Sequence, residues 1–259
     1  MSHTRVNQRP GEWIAPMAGT DQLDAFERHR PELLAFATRL VTRQEIAEEI
    51  VQEAALRLLT LAEPPVVEAV RPWAFRVVSN LAIDHLRRHS TWREDSLLEL
   101  RSAAESDARF VAEARDLRGG PEVAAIAREH LVACFACTLR NLRPHQAAAL
   151  LLKEVQELST EETAIALEAT VVQVKNWLQE ARRELTERYA TTCRLVAKGG
   201  VCHQCVELDA FFNGRERDPL SGSTRDLDAR LAILRESREE ERGTWHRRMF
   251  GLLDQVLST

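Results

Sequence analysis

Residues 71–88, RPWAFRVVSNLAIDHLRR, carry the clearest structural pattern of the chain. At 100° per residue their apolar side chains fall on one side, as in a helix that faces a protein core. The other side carries guanidinium and amide groups beside an accessible indole, which suits a surface that holds phosphates while an unpaired base stacks. The alternative is a core tryptophan flanked by solvated arginines. The polar stripe consists of Trp73, Arg76, Asn80, Asp84 and Arg87, and Arg88 follows it.

Residues 46–59 predict a second amphipathic helix, which precedes the first along the chain. One half of its helical wheel is apolar, and the opposite half holds acids and an amide with Leu56 among them. Such a row is more typical of a protein-binding strip than of a solvated face. Alternatively, Leu56 packs on a neighbouring helix. The candidate strip consists of Glu48, Glu49, Gln52, Glu53 and Leu56.

Two linked blocks, AEEIVQE at 47–53 and PWAFRVVSNLAIDHLRR at 72–88, resemble region 2 of bacterial RNA polymerase sigma factors of the extracytoplasmic-function (ECF) branch. The resemblance implies that the strip around Leu56 docks on the clamp coiled coil of the polymerase β′ subunit. It also implies that the helix from Trp73 to Arg88 and the loop before it, residues 61–70, open the minus-ten promoter element and hold its flipped bases. Glu49 departs from the pattern, because the family more often has Asp there.

Residues 159–187 predict a helix-turn-helix. Ser159 with Glu162, and Thr170 with Gln173, form two S/T-x-x-E/Q capping boxes, so two helices begin with room for only a short turn between them. The alternative is an ordinary helical hairpin whose polar face is solvated. The second helix presents outward a face that can reach base edges and phosphates from a major groove. That face consists of Val172, Lys175, Asn176, Gln179, Arg182 and Arg183.

Three further blocks, LRP at 142–144, LSTEETA at 158–164 and VKNWLQEAR at 174–182, are similar to region 4 of the same sigma family. The resemblance implies that this unit binds the minus-thirty-five element. It implies core RNA polymerase, through the β′ clamp and the β flap, and promoter DNA as partners, with an anti-sigma factor as a further candidate partner. Trp177 and Glu180 depart from the pattern, since family members commonly carry Arg at both positions.

The composition indicates an all-α protein. Among 259 residues, Gly (10) and Pro (9) are scarce, while 44% are hydrophobic, which favours long helices over sandwiches and barrels. We expect two small helical domains joined by a linker, with a helical C-terminal extension. The predicted divisions are a flexible lead (1–20), a region 2 like domain (21–92), a linker (93–120), a region 4 like helix-turn-helix domain (121–190) and a Cys-bearing extension (191–259).

The net charge of −5 argues against tight DNA binding by the chain alone, because DNA-binding domains usually carry a basic excess. No apolar run approaches the roughly 18 residues that span a bilayer, and the first residues lack a signal peptide's apolar region. We therefore expect a cytoplasmic protein without membrane insertion. No nucleophile–base pair, P-loop or Gly-rich dinucleotide turn is recognisable, so we expect no catalytic activity.

The cysteines indicate a candidate zinc site, although no cofactor is expected to be required. A C-x2-C knuckle follows two glycines, and the candidate ligands are Cys193, Cys202, His203 and Cys205. Because adjacent Cys202 and His203 are an awkward pair, the fourth ligand stays open between His203, Asp209, the Cys134/Cys137 pair and a partner's group. The alternative is a set of buried reduced thiols beside Phe211 and Phe212. Cys134 and Cys137, one helical turn apart, are predicted to be core residues.

The tail is predicted to regulate the protein. Residues 226–257 have an apolar stripe, so this helix should dock on one of the two DNA-binding units or on the polymerase. By position it resembles the regulatory extensions of some members of the branch. We expect a promoter-specificity subunit of RNA polymerase. The alternatives are a metal- or redox-responsive helix-turn-helix repressor, which would bind a symmetric operator alone, and a helical adaptor without DNA contact.

Overall fold

The computed structural model describes residues 19–89, 103, 106–108, 134–135, 138–192 and 227–236. Every regular element within these ranges is helical, which confirms the all-α prediction. None of the helices described there is long and apolar enough to cross a membrane. The predicted flexible lead apart from Gly19 and Thr20, nearly all of the predicted linker and the Cys-bearing segment after residue 192 lie outside the described residues.

Three α-helices form the first unit, as the periodicity predicts. They are α1 (Thr20–Val41), α2 (Gln44–Thr60) and α3 (Val70–His89), and the loop between α2 and α3 contains a 3-10 turn, Val67–Ala69. Their apolar faces meet in a core whose largest members, Phe26, Phe36 and Phe75, are fully buried. The rings of Phe36 and Phe75 meet edge to face with centroids 5.7 Å apart, which joins α1 to α3.

The second unit begins with α4 (Pro144–Leu150), whose first residue is a proline because the first helical N–H needs no partner within the helix. A π-helical turn, Leu151–Val155, continues it and is followed by α5 (Thr160–Ala166) and α6 (Val171–Thr192). Small residues allow α4 to lie close against α6. Those buried alanines are Ala147, Ala148, Ala149 and Ala181.

The turn between α5 and α6 depends on a left-handed residue. Glu168 has φ 51°, a conformation that costs most side chains about 1–2 kcal/mol. Its backbone N–H donates to the Ile165 carbonyl (3.3 Å), and that of Ala169 donates to the Ala164 carbonyl (2.9 Å). These two bonds satisfy the last carbonyls of α5 and reverse the chain within four residues, Leu167 to Thr170.

The tail contributes α7 (Leu227–Glu236), which packs on the π-helical turn and on α6. Leu231 and Leu234 of its predicted apolar stripe are buried. The tail thus docks on a predicted DNA-binding unit, as expected from its amphipathic pattern. The remainder of the predicted tail helix lies outside the described residues.

The two units share one continuous core, whereas the sequence predicts separate domains on a linker. The contact forms between α3 and the pair α4 and α5, and α1 also touches α4. Arg71 of α3 also donates to the Gln156 carbonyl of the second unit (3.3 Å). The contact places apolar residues of both units in one buried cluster, which removes their surface from water.

Candidate functional site

The predicted docking strip on α2 faces solvent. Glu48, Glu49 and Gln52 are exposed, and Leu56 retains 50% of its accessible surface. Leu56 is thus only partly covered by its neighbours and remains accessible to a partner. The opposite face supplies the core residues Ala47, Ile50, Val51, Ala54 and Leu58, as predicted.

Two ion-pair or hydrogen-bond contacts order the acids of this strip. The Gln44 amide donates to Glu48 Oε1 (2.9 Å), and the Arg57 Nε donates to Glu53 Oε1 (2.9 Å). Both contacts span one helical turn at the surface, so they contribute a few tenths of a kcal/mol each. They hold the carboxylates along α2 without burying them, which leaves the strip available to a partner.

The predicted minus-ten stripe divides into a half-buried and an exposed part. Trp73, Arg76 and Asn80 are half-buried, and the Trp73 ring packs against the core. Asp84, Arg87 and Arg88 are exposed, with the Arg87 Nη1 3.8 Å from Asp84 Oδ1. Trp73 combines the two interpretations drawn from the sequence, since it contacts the core and also keeps accessible surface.

The second unit lies along α3 at both ends of this stripe. Near the start of α3, the Arg71 guanidinium binds both oxygens of Glu32 at 3.0 Å and donates to the Gln156 carbonyl (3.3 Å). Near the end of α3, His145 of α4 interacts electrostatically with Arg87 and Asp84. The pKa of His145 lies below its usual 6.5 because of burial and then the Arg87 charge, which outweigh the opposing Asp84.

Both predicted capping boxes form. The Glu162 backbone N–H donates to Ser159 Oγ (3.0 Å) and the Ser159 N–H donates to Glu162 Oε2 (2.7 Å). The Gln173 N–H donates to Thr170 Oγ1 (3.2 Å), with the Thr170 N–H on Gln173 Oε1 (2.9 Å). Hydrogen bonds from Ser159 lower the pKa of the Glu162 carboxyl. The helix-turn-helix geometry is therefore fixed by local contacts.

The outward face of α6 is accessible except at one arginine. Val172 (66% exposed), Lys175, Asn176, Gln179 and Arg183 face solvent as predicted. Arg182 is half-buried, and its guanidinium lies between the carboxylates of Glu154 and Asp228. The pairing of Arg182 with Asp228 of α7, which is distant in sequence, was not predicted from the sequence.

The two residues of α6 that depart from the sigma pattern pack on α4. The Trp177 and His145 rings lie 5.1 Å apart, and the Gln146 amide donates to Glu180 Oε2 (2.7 Å). Both positions thus join two helices of one unit in this chain.

The proposed metal ligands Cys193, Cys202, His203 and Cys205 lie outside the described residues, as do Cys137, Asp209, Phe211 and Phe212. Within the described part of the chain, no group of three His, Cys, Asp or Glu side chains is placed to hold a metal ion. Cys134 is buried, in agreement with its prediction as a core residue.

Several residues of these surfaces were not singled out from the sequence. Val66, in the loop before α3, and Ile165, on α5, expose 66% and 59% of their surface. Glu154 and Asp228 acquire a role only by meeting Arg182. The only sequence signal for exposure of Val66 and Ile165 is that each is an isolated apolar residue in a polar segment, which is a weak signal. No local pattern indicates that Glu154 and Asp228 pair with Arg182.

Comparison with known families agrees with this architecture. The model of sigma-70 region 2 matches residues 25–91, and that of sigma-70 region 4 matches residues 133–185. The first covers α2 and α3, and the second covers the helix-turn-helix and the helices before it.

Similar curated proteins are sigma factors. The chain is 29% identical over 185 residues to the ECF RNA polymerase sigma factor SigG of Mycobacterium tuberculosis (strain CDC 1551 / Oshkosh), covering 66% of this chain and 50% of SigG. It is 28% identical to a probable RNA polymerase sigma factor of Haemophilus influenzae (60% of this chain, 83% of the relative). It is 26% identical to the probable ECF sigma factor SigI of Mycobacterium tuberculosis (81% and 66%).

The aligned part thus spans about half the length of SigG. Two family models in the order of region 2 and region 4, a helical fold and relatives of one kind lead to one assignment. Residues 25–91 and 133–185 thus belong to the sigma-70 family as its regions 2 and 4, and the chain is similar to sigma factors of the extracytoplasmic-function branch.

Proposed function

We propose that this protein binds core RNA polymerase and directs promoter recognition, DNA melting and transcription initiation, with no catalytic chemistry of its own. The observation that carries the proposal is the accessible face of α6, presented by a doubly capped helix-turn-helix in the same chain as the acidic and apolar strip of α2. A stand-alone DNA-binding protein has no need of the second surface.

The α2 strip is the proposed contact with the β′ clamp. Leu56 offers an apolar anchor at 50% exposure, and Glu48, Glu49, Gln52 and Glu53 surround it with acceptors for a basic partner surface. An apolar centre within a polar rim is the arrangement found at specific protein interfaces. The β flap is proposed to contact the second unit.

Two separate surfaces are proposed to bind promoter DNA. On α3, Trp73 would stack on a flipped base of the minus-ten element while Arg76, Asn80, Asp84, Arg87 and Arg88 contact the strand, with the loop 61–70 assisting. On α6, Lys175, Asn176 and Gln179 would reach base edges of the minus-thirty-five element, Val172 would meet a thymine methyl, and Arg182 and Arg183 would bind phosphates.

The acidic net charge of −5 supports an activity that requires polymerase. Affinity for DNA comes largely from phosphate neutralisation, so a chain without a basic excess binds promoters weakly alone. We expect polymerase to supply the missing attraction. Specific binding by the purified chain, the behaviour of a repressor, is correspondingly not favoured.

Several finer assignments belong to the same proposal. The domain divisions at residues 21–92, 93–120, 121–190 and 191–259 follow sequence pattern, and the linker is proposed to run toward the polymerase active-site cleft and RNA exit path. The C-x2-C spacing supports a zinc ion on Cys193, Cys202 and Cys205, with the fourth ligand open. The protein is proposed to act in the cytoplasm, with an anti-sigma factor as a candidate regulator.

Co-purification with core polymerase followed by run-off transcription from a promoter library tests the proposal. We expect a stable complex and transcripts that begin at a shared sequence pattern. A chain that neither joins core polymerase nor supports initiation would refute the proposal. Purified protein that protects a symmetric operator without polymerase would favour the repressor instead.

A further inference from the structure

Helix α7 contacts both units, and an arginine takes part in each contact near its C-terminal end. Arg39 of α1, only 3% exposed, donates from Nη2 to the Leu234 carbonyl (3.1 Å). Arg235 of α7 donates in turn to the Glu154 carbonyl. A cation at the last carbonyls of a helix is favoured by the helix dipole and by the unsatisfied acceptors there. The tail therefore connects the two units, although it follows both in sequence.

A buried arginine anchors the same helix in the second unit. Arg230 is 3% exposed, and its guanidinium lies 3.9 Å from the centroid of the Tyr189 ring on α6. Its Nη1 is 3.8 Å from the Cys134 sulfur. Together with buried Leu231 and Leu234, this cation–π contact makes the α7 seat a packed interface. A loosely associated tail would leave these side chains in water.

The first turn of α7 reaches the DNA-facing helix at Arg182. The Arg182 Nη1 donates to Asp228 Oδ1 (2.7 Å), and its Nη2 donates to Glu154 Oε1 (3.0 Å). Glu154 Oε2 is also 3.7 Å from the Arg235 Nη2. Burial lowers the pKa of Arg182, but the Asp228 and Glu154 contacts prevail and raise it above its usual value. Two carboxylates thus hold the cation that its position on α6 would otherwise offer to a phosphate.

We propose that α7 is an intramolecular competitor of promoter DNA: Asp228, together with Glu154, withholds Arg182 from phosphate, and the Arg39 contact keeps the two units closed along α3. The inference rests on the proposed function and adds a means of regulating it. Breaking the tail contact releases an arginine on α6 and loosens the connection that keeps the second unit over the half-buried part of the minus-ten stripe.

The test measures the affinity of the full-length protein for a short random-sequence duplex, because phosphate contacts do not depend on sequence. Asp228→Asn removes the carboxylate charge with little change in shape. We expect DNA affinity to rise about twofold to fivefold, the range expected for releasing a largely exposed ion pair, with a steeper dependence on salt concentration.

The matched control is Glu187→Gln, which removes the same charge from an exposed position later on α6. A double variant, Asp228→Asn with Arg182→Ala, separates the proposed mechanism from a general charge effect. The gain should exceed that of the control and should vanish in the double variant. An Asp228→Asn gain no larger than the control's, or one that survives loss of Arg182, would overturn the proposal.

Run-off transcription with the wild-type chain and core polymerase separates this inference from the proposed function. If wild-type protein supports initiation while Asp228→Asn binds DNA no better than the control, only the competitor role fails. If wild-type protein supports no initiation, the sigma activity fails, whatever the duplex-binding result.

Discussion

Leu56 and Leu58 provide a matched pair for testing the docking strip, because they are identical residues two positions apart on α2. Leu56 is 50% exposed and Leu58 is fully buried. Full burial of a leucine contributes about 1.5–3 kcal/mol, so Leu56 has about half of that still to gain on binding a partner. Leu56→Ala should therefore weaken polymerase binding by about 1 kcal/mol, roughly fivefold in Kd.

Leu58→Ala should mainly lower stability, whereas Leu56→Ala should mainly weaken polymerase binding. Leu58→Ala opens a cavity and should lower the free energy of unfolding by about 2–5 kcal/mol, whereas Leu56→Ala should cost less than about 1 kcal/mol. Urea unfolding measures the first quantity, and titration of labelled protein with core polymerase measures Kd. Leu56→Met, which keeps the apolar volume, serves as a rescue control.

Two results would refute this reasoning. One is an unchanged polymerase Kd for Leu56→Ala, which would show that the exposed leucine is not part of the docking surface. The other is a loss of stability for Leu56→Ala equal to that for Leu58→Ala, which would show that Leu56 is a packing residue after all. Kd for Leu58→Ala, corrected for the folded fraction, should equal that of the wild type.

Further predictions concern the second unit. Ser159→Ala removes the cap of α5 and should lower the urea midpoint by an amount equivalent to about 1 kcal/mol, and an unchanged midpoint would contradict the capping argument. Glu168→Gly relieves the left-handed conformation (φ 51°) and should raise stability by up to about 1 kcal/mol; a fall would show that side-chain contacts outweigh backbone strain. Because the pKa of His145 is lowered in the folded protein, the unfolded chain binds a proton at this residue more readily. The contribution of neutral His145 to stability should therefore be fully present above pH 6.5 and should be lost on acidification. Urea titrations at several pH values measure this loss. His145→Gln should remove that part of the pH dependence, and an identical pH profile in this variant would assign the dependence to other groups.

Local signals were sufficient for much of the fold. The capping boxes at Ser159 and Thr170 each use residues three positions apart, and both form as the sequence predicts. The apolar faces of α2 and α3 follow the helical period, so their buried residues could be assigned without tertiary information. The sequence left open whether Leu56 is exposed, because the helical period of α2 does not show whether another helix covers that side chain.

Contacts between distant segments account for what the sequence left out. Arg182 is assigned to the DNA-facing side by its position on α6, yet its partner Asp228 lies on a helix 46 residues further along. The contact between α3 and the second unit is likewise long-range, as in the hydrogen bond from Arg71 to the Gln156 carbonyl, 85 residues further along. Spacing within one helix carries no information about either pairing.

Sequence-selective DNA retention measures whether promoter recognition by this protein depends on core polymerase. A promoter library is incubated with the purified chain, with core polymerase alone and with both together, and the retained DNA is sequenced. We expect enrichment of a paired minus-ten and minus-thirty-five pattern only when both proteins are present. Enrichment of a symmetric sequence by the chain alone, with no further selection on adding polymerase, would contradict this expectation.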